Sequence, residues 1–142
     1  MKILIINGPN LNLLGQRETD IYGHYSFEDY FKHLQKKFID VELEYYQTNH
    51  EGSIIDKIHE KGFKCEGIVI NPGAYTHYSY AIHDAIKSVT ALAIEVHISD
   101  IEKREEFRKI SVIKDACVHQ IKGKGLPGYE EAIEYLIKMK QP

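Results

Sequence analysis

Lys2-Ile3-Leu4-Ile5-Ile6, near the start of the chain, and Gly67-Ile68-Val69-Ile70, near its middle, carry the clearest indication of the fold class. Each is apolar at successive positions, so a strand built from it would be apolar on both faces. Strands of this kind occur in parallel sheets that helices cover on both sides. The pattern therefore predicts an α/β protein.

Three further stretches complete the strand pattern, and segments with helical periodicity separate them. The candidate strands are residues 2–6, 41–47, 67–70, 91–97 and 116–121. Apolar residues recur at helical spacing over residues 27–38, 54–62, 81–89 and 127–140. Ser26 with Asp29 predicts a capped start for the first helix, and Pro127 opens the last. Residues 100–108 are expected to form one or two turns of exposed helix.

Length and composition restrict the class of protein. The chain has 142 residues, of which 43% are hydrophobic and 27% charged, as in an ordinary globular protein. We expect a single domain over residues 1–142, because no linker or repeat interrupts the pattern. The net charge of −3 offers no basic surface for nucleic acid.

The first residues and the cysteines bear on the location of the protein. The N-terminal apolar run of four residues is too short for a signal peptide or a membrane span, which predicts a cytoplasmic protein without a membrane partner. Cys65 and Cys117 stand alone, 52 residues apart, so they predict neither a disulfide framework nor a Cys-x-x-Cys site. Both are interpreted as plain buried thiols.

Polar residues follow three of the five candidate strands. The segments are Asn7-Gly8-Pro9-Asn10-Leu11-Asn12, Asn71-Pro72-Gly73-Ala74-Tyr75-Thr76-His77 and Glu95-Val96-His97-Ile98-Ser99. In open parallel sheets ligands bind outside the carboxyl ends of the strands, so these groups are expected to converge on one site. The alternative is that Asn, Gly and Pro serve only as turn residues.

A long polar loop, residues 13–25, separates the first strand from the first helix. Loops of this length are usually lids, binding loops or disordered segments. The chain has only three arginines, Arg17, Arg104 and Arg108, of which Arg17 lies in this loop. Its guanidinium could serve a carboxylate or an activated oxygen, although an ordinary solvated arginine is the alternative.

Several familiar motifs are incomplete. Residues 123–128 fit Gly-x-Gly-x-x-Gly, but no strand follows, so the glycines predict a tight turn rather than a dinucleotide site. His59-Glu60 lacks the second histidine of a zinc-protease helix, and the other histidines have no ligand spacing. No serine-hydrolase elbow or phosphate loop is present. We therefore expect neither metal nor cofactor.

The motifs taken together resemble one family from end to end, the type II 3-dehydroquinate dehydratases. The resemblance is carried by the three segments above, by Gly15, Arg17 and Tyr22-Gly23, by Arg104-Glu105-Glu106-Phe107-Arg108, and by Gly128-Tyr129. It implies a flavodoxin-like three-layer sandwich, a homododecamer built from trimers, and no cofactor or metal. The implied reaction removes water from 3-dehydroquinate to give 3-dehydroshikimate, in the shikimate pathway or in quinate breakdown.

The resemblance also implies catalytic roles. Tyr22 would be the base that removes a proton α to the substrate ketone, and Arg17 would favour its anion, because a free phenol has a pKa near ~10. Asn10 would stabilise the enolate oxygen through an ordered water, and His97 would protonate the leaving hydroxyl. Strand alternation places Glu95 on the face of His97, from which we infer that Glu95 supports the imidazole.

Substrate-binding residues carry over in the same way. Asn71, His77, Asp84 and Arg108 would bind substrate hydroxyls, with Asp84 lying one turn inside the third helix. The backbone N–H groups of Ile98 and Ser99, together with the Ser99 hydroxyl, would bind the substrate carboxylate.

Two other classes of function remain open on the sequence alone. One is a flavodoxin-like module that binds FMN or another metabolite without catalysis. The joint presence of Tyr22, Arg17 and His97 argues against it, because a binding module needs no base, activator and acid. The other is a structural, shell-forming oligomer without activity, which only an assay excludes.

Overall fold

A parallel sheet of five strands forms the centre of the molecule in a computed structural model, which describes residues 1–16 and 25–141. The strands are β1 (Lys2–Asn7), β2 (Glu42–Gln47), β3 (Gly67–Asn71), β4 (Leu92–His97) and β5 (His119–Lys122). Their order is β2-β1-β3-β4-β5, and every neighbouring pair is parallel. This order is flavodoxin-like, as expected, and it reverses direction between β1 and β3, where such sheets open a crevice.

The described part of the chain contains four α-helices of eight residues or more, three between successive strands and one after β5. They are α1 (Phe27–Lys37), α2 (Glu51–Lys61), α3 (Tyr80–Lys87) and α4 (Pro127–Lys140). The predicted cap of α1 is confirmed, since Ser26 Oγ accepts from the N–H of Asp29 at 3.1 Å. Pro127 occupies the first turn of α4, where the missing N–H has no helical partner to lose.

Two apolar cores hold the helices against opposite faces of the sheet. Helices α1 and α4 pack on the side of Ile3, Ile5 and Val69, with Phe27 and Tyr129 fully buried. Helices α2 and α3 pack on the other side, with a second core formed by residues Leu4, Ile6, Ile54, Ile58, Ile68, Ile70, Ile82 and Ile86. Alternation along β1 and β3 thus supplies both cores, which confirms the three-layer sandwich.

The fifth strand and residues 100–108 differ from the sequence-based expectation. The fifth strand begins at His119 instead of residue 116, because Lys114–Ala116 form a 3-10 turn in which the N–H of Cys117 donates to Lys114 O. Residues 100–108 form two 3-10 turns, Ile101–Lys103 and Glu106–Arg108, and Ile101 is buried rather than exposed.

Positive φ angles at Gly123 (74°) and Gly125 (64°) confirm the tight turn predicted for residues 123–128. No helix among residues 1–16 and 25–141 is both long and apolar enough to cross a membrane.

Candidate active site

A pocket of about 170 Å³ lies at the carboxyl edge of β1, β3 and β4, where the polar strand-end segments meet. Its described lining consists of Pro9, Asn10, Leu11, Leu13, Leu14, Asn71, Gly73, Ala74, His77, His97, Ile98, Ser99, Ile101, Arg104 and Arg108. Amide, imidazole, hydroxyl and guanidinium groups thus share one small cavity. The arrangement suits a compact, oxygen-rich molecule that carries negative charge.

The loops after β1 and β3 are packed directly against each other. The N–H of Gly8 donates to Asn71 O at 2.8 Å, and a Cβ at Gly8 would lie 2.5 Å from Pro72 O. Asn10 has a φ of 71°, a left-handed conformation that asparagine tolerates, and its N–H donates to Asn49 Oδ1 at 3.1 Å. The close contact fixes the edge of the pocket to which Asn10 belongs.

Tyr129, on α4, connects the last residues of β1 and β3 from beneath the pocket. Its hydroxyl donates to Asn7 Oδ1 at 2.8 Å and accepts from Asn71 Nδ2 at 3.1 Å. Asn71 Oδ1 in turn accepts from the N–H of Gly73 at 3.2 Å. Because Tyr129 and Asn7 have no exposed surface, these bonds fix the orientation of the Asn71 amide at the pocket wall.

His97 and Glu95 form a buried pair at the end of β4. His97 Nε2 lies 2.5 Å from Glu95 Oε2, and the exposed fractions of the two residues are 5% and 0%. The bond to the carboxylate makes Nε2 the donor and leaves Nδ1 as the ring nitrogen available to a bound molecule. This geometry confirms that the two side chains share a face of β4.

Two hydroxyl groups complete the surroundings of Glu95. Thr76 Oγ1 donates to Oε2 at 2.6 Å, and Ser111 Oγ lies 2.9 Å from Oε1 and 2.8 Å from Oε2. Burial opposes ionisation of Glu95. The hydrogen bond and the charge of His97, together with the hydrogen bonds from the two hydroxyls, outweigh this effect of burial. The pKa of Glu95 therefore lies below its ordinary value, and the group is a carboxylate.

A main-chain carbonyl holds the His77 ring through the nitrogen that lies away from the pocket. Its Nδ1 donates to Ile110 O at 2.7 Å, which leaves Nε2 for a ligand in the pocket. Burial lowers the pKa of His77, and the nearby His97 and Arg108 lower it further. A neutral ring with a free Nε2 is an acceptor, which suits a ligand hydroxyl.

The backbone at Ile98 and Ser99 is braced by the glycine turn before α4. The N–H of Gly125 donates to Ile98 O at 3.0 Å, and that of Gly123 donates to Ser99 O at 3.2 Å. Arg104 Nη1 reaches the Ser99 hydroxyl at 3.5 Å. These contacts hold the peptide at the strand end and bring a positive charge beside it.

Arg108 lies at the pocket wall within the Glu106–Arg108 turn. Its Nε is 2.6 Å from Glu105 Oε2, and its guanidinium lies over the Phe107 ring, 4.8 Å from the centroid. The ion pair and the ring orient the guanidinium, whose planar fork can bind neighbouring oxygens.

Seven of the predicted site residues line this one pocket: Asn10, Asn71, His77, His97, Ile98, Ser99 and Arg108. Glu95 lies directly beneath His97. Asp84 does not belong to the described lining; its side chain is 79% exposed on α3 and contacts His83 Nδ1 at 2.9 Å. Arg17 and Tyr22 lie outside the described residues.

Sequence reasoning gave no role to Thr76, Ser111 or Tyr129, although all three hold site residues. A signal for the first two exists, because Glu95 is a charged residue inside an apolar strand and must therefore find polar partners. Ser111 is 16 residues further along the chain, and its contact depends on how residues 109–113 return to the sheet.

Metal ligation has no visible basis in the part of the chain that the structure describes. Within residues 1–16 and 25–141, no group of three or more His, Cys, Asp or Glu side chains is arranged to hold a metal ion. Burial raises the pKa of the Cys117 thiol, and the charge of Glu95 raises it further, which fits the interpretation of this cysteine as inert. Cys65 and Cys117 are both free and half-buried.

Comparisons with known proteins give a consistent result. The family model "Dehydroquinase class II" matches residues 1–137. A 3-dehydroquinate dehydratase of Caldicellulosiruptor bescii is 59% identical over 140 residues, 96% of each chain. A 3-dehydroquinate dehydratase of Thermotoga maritima is 51% identical over 140 residues, covering 97% of this chain and 96% of that one.

Solved structures agree with the sequence comparisons. A type II dehydroquinase from Butyrivibrio crossotus superposes with a TM-score of 0.92 at 57% identity, over 96% of this chain and 97% of that chain. A type II dehydroquinase from Propionibacterium acnes gives 0.91 at 41% identity, over 96% of each chain. The similarity therefore extends over almost the whole molecule.

Proposed function

Because the chain belongs to the class II dehydroquinase family, we propose that it catalyses the loss of water from 3-dehydroquinate to give 3-dehydroshikimate. The place of this reaction is the shikimate pathway to aromatic compounds. The observation that carries the proposal is the buried Glu95–His97 pair, which presents a ring nitrogen to a pocket whose rim carries Asn10.

The acid step belongs to His97. With Nε2 bonded to the Glu95 carboxylate, a protonated His97 donates from Nδ1 to the leaving hydroxyl, which departs as water. The negative charge of Glu95 stabilises the imidazolium that this step consumes and that solvent restores. A neutral partner in place of Glu95 would provide no such stabilisation.

The base step is assigned to residues outside the described part of the chain. Tyr22 removes a proton α to the ketone, and the charge of Arg17 favours the tyrosinate. Electron density moves to the ketone oxygen, and the enolate then expels the hydroxyl that His97 protonates. The product is a ketone conjugated with the new double bond.

Asn10 stabilises the charge that develops on the substrate, and the remaining pocket residues orient the substrate. Asn10 stabilises the enolate oxygen through a water molecule, as an amide near developing negative charge can do. His77, Asn71 and Arg108 bind hydroxyls, and the peptide at Ile98–Ser99 binds the carboxylate. The position of Arg104 beside the Ser99 hydroxyl supports the last assignment.

The assembly and location of the enzyme are part of the same proposal. We infer a homododecamer of four trimers in the cytoplasm, with a single small-molecule substrate and no dissociable cofactor. Sedimentation velocity of the purified protein tests the assembly, and a monomer would contradict it.

The test of the reaction is direct. Purified protein is mixed with 3-dehydroquinate, and the ultraviolet absorbance of the conjugated product is followed. We expect turnover by the wild type and a loss of about 10²- to 10⁴-fold in His97→Ala. His59→Ala, at an exposed position on α2, is the matched control and should keep full activity. Failure of the wild type to form the enone would refute the proposal.

A further inference from the structure

We propose that Ser111 is a positioning residue for the acid step: its hydroxyl fixes the plane of the Glu95 carboxylate against His97. This inference rests on the proposed function, because it assigns Ser111 to the same reaction. Ser111 is absent from the described pocket lining, so it acts through Glu95 and not on the substrate.

The contacts of the carboxylate carry the argument. The last torsion of a glutamate side chain is broad, so the donors around the carboxylate determine its plane. Ser111 Oγ is within hydrogen-bond distance of both oxygens of Glu95, at 2.9 and 2.8 Å, whereas Thr76 and His97 contact only Oε2. Among the described residues, Ser111 is thus the one side chain that bonds Oε1.

The segment that carries Ser111 is attached independently of its hydroxyl. The N–H of Val112 donates to Thr76 O at 2.7 Å, and Ile110 O accepts from His77 Nδ1 at 2.7 Å. Ile113, the next residue, has no exposed surface and belongs to the core. Removing the Ser111 hydroxyl should therefore leave the segment in place.

The same segment holds two parts of the site at once. Ile110 orients the His77 ring, and Ser111 orients the Glu95 carboxylate, so residues 110 and 111 set the distance between an acceptor for a substrate hydroxyl and the acid group. A change at the Ser111 side chain should affect the acid group alone, because His77 is bonded to the main chain.

The titratable groups around Glu95 come from every element packed against it. They are His97 on β4, His77 after β3 and Cys117 before β5, and the charge of Arg108 acts on His77. The pKa of the Cys117 thiol is raised, so it stays neutral. The acid limb of activity is then governed by protonation of Glu95, which loses a donor when Ser111 is changed.

The experiment compares three variants in the enone assay across pH. In Ser111→Ala we expect kcat to fall about 10-fold with KM changed less than about twofold, because substrate does not touch Ser111. The acid limb of kcat should move to higher pH, since the carboxylate has lost a hydrogen bond that favours its ionised form. Ser111→Thr keeps a hydroxyl and should restore both values. Ser53→Ala, on α2, is the matched control.

A second readout separates this inference from the proposed function. The proton shifts of the His97 ring, followed by NMR without substrate, report the protonation of Glu95, and that step should move up in Ser111→Ala. A wild type without dehydratase activity would refute the proposed function, while the NMR titration would still test Ser111. An unchanged titration step and pH profile in Ser111→Ala would overturn the inference, as would a raised KM with the profile unchanged. If Ser111→Ala failed to fold, Ser111→Cys, with a weaker donor of similar size, would be measured in its place.

Discussion

Tyr129 shows how one hydroxyl can serve two loops that are far apart in the sequence. It donates to Asn7 and accepts from Asn71, so both amides at the strand ends depend on it. A buried donor or acceptor that loses its partner costs the full desolvation of that group. The consequence can be measured in stability and in binding.

The first prediction concerns Tyr129→Phe. The change leaves Asn7 Oδ1 and Asn71 Nδ2 without their shared partner, and we expect the free energy of unfolding in urea to fall by about 1–3 kcal/mol. KM should also rise, because the Asn71 amide loses its fixed orientation. Tyr135→Phe, on the same helix, is the control: its ring stacks on His119, and that contact survives the change. Equal stability of the two variants would contradict the argument.

The sequence predicts the individual site residues better than it predicts the residues that hold them in place. His97 and Asn71 are the last residues of strands whose apolar pattern is clear, and alternation along β4 is enough to put Glu95 beside His97. The Ser111 hydroxyl could not be placed, because its contact depends on an irregular return of the chain. The base Tyr22 stays a prediction, since it lies outside the described residues.

At the scale of elements, the close contact of the loops after β1 and β3 determines the shape of the pocket wall. Gly8 permits this contact because a side chain there would meet the main chain of Pro72. Main-chain atoms cannot move aside as the end of a flexible side chain can. The glycine is therefore required by space and not by its φ angle.

The second prediction compares two alanine substitutions. In Gly8→Ala the new Cβ would lie 2.5 Å from Pro72 O, so the two loops must separate, and both stability and turnover should fall. In Gly52→Ala, in the first turn of α2, no atom outside the neighbouring residues and the helix's own main chain lies within 4 Å of the new Cβ, so stability should not fall. Urea unfolding of both variants is the measurement. A Gly8→Ala variant as stable as the wild type would refute the role of the contact.

Boundaries of the elements were predictable where periodicity and capping agree, as in α1 and α4. The start of β5 was not, because the run before it is as apolar as a strand while its N–H groups are used in a 3-10 turn. Residues 100–108 were misjudged in one respect: Ile101 is buried, which a short mixed-charge sequence does not reveal.

At the scale of the whole molecule, stability should depend on pH through two hydrogen-bonded carboxylates, one buried and one half-buried. Burial opposes ionisation of Glu95 and Glu130, but their hydrogen-bond donors outweigh it and hold both pKa values below the ordinary 4.5. The donors of Glu130 are Lys37 at 2.6 Å, Tyr30 at 2.9 Å and His33 at 3.0 Å. In the unfolded chain both groups take up protons at higher pH than in the folded protein.

The third prediction follows from the sign of that difference. A lowered pKa in the folded state gives stability that is complete above about 4.5 and is lost as the pH falls through the folded values. The urea midpoint should therefore fall when the pH is lowered from 6 to 3, about where carboxyl groups titrate. Glu130→Gln should show a shallower fall. A midpoint independent of pH in the wild type would contradict the prediction.

The fourth prediction concerns cofactors. Neither the sequence nor the described structure offers a clustered set of metal ligands, and the glycine turn before α4 braces the main chain at Ile98 and Ser99. Extensive dialysis against a strong chelator should leave the rate of enone formation unchanged. A rate that returned only after adding a metal ion or a nucleotide would require a different mechanism.

The bond between Tyr129 and Asn7 joins positions 122 residues apart, and this separation has a consequence for biosynthesis. Synthesis proceeds from Asn7 toward Tyr129, so a nascent chain cannot form this bond before α4 has left the exit tunnel. Until then α1 alone packs on this face of the sheet, and the part that α4 covers stays open to chaperones. The Asn71 amide at the pocket wall therefore receives its partner hydroxyl only after α4 has emerged.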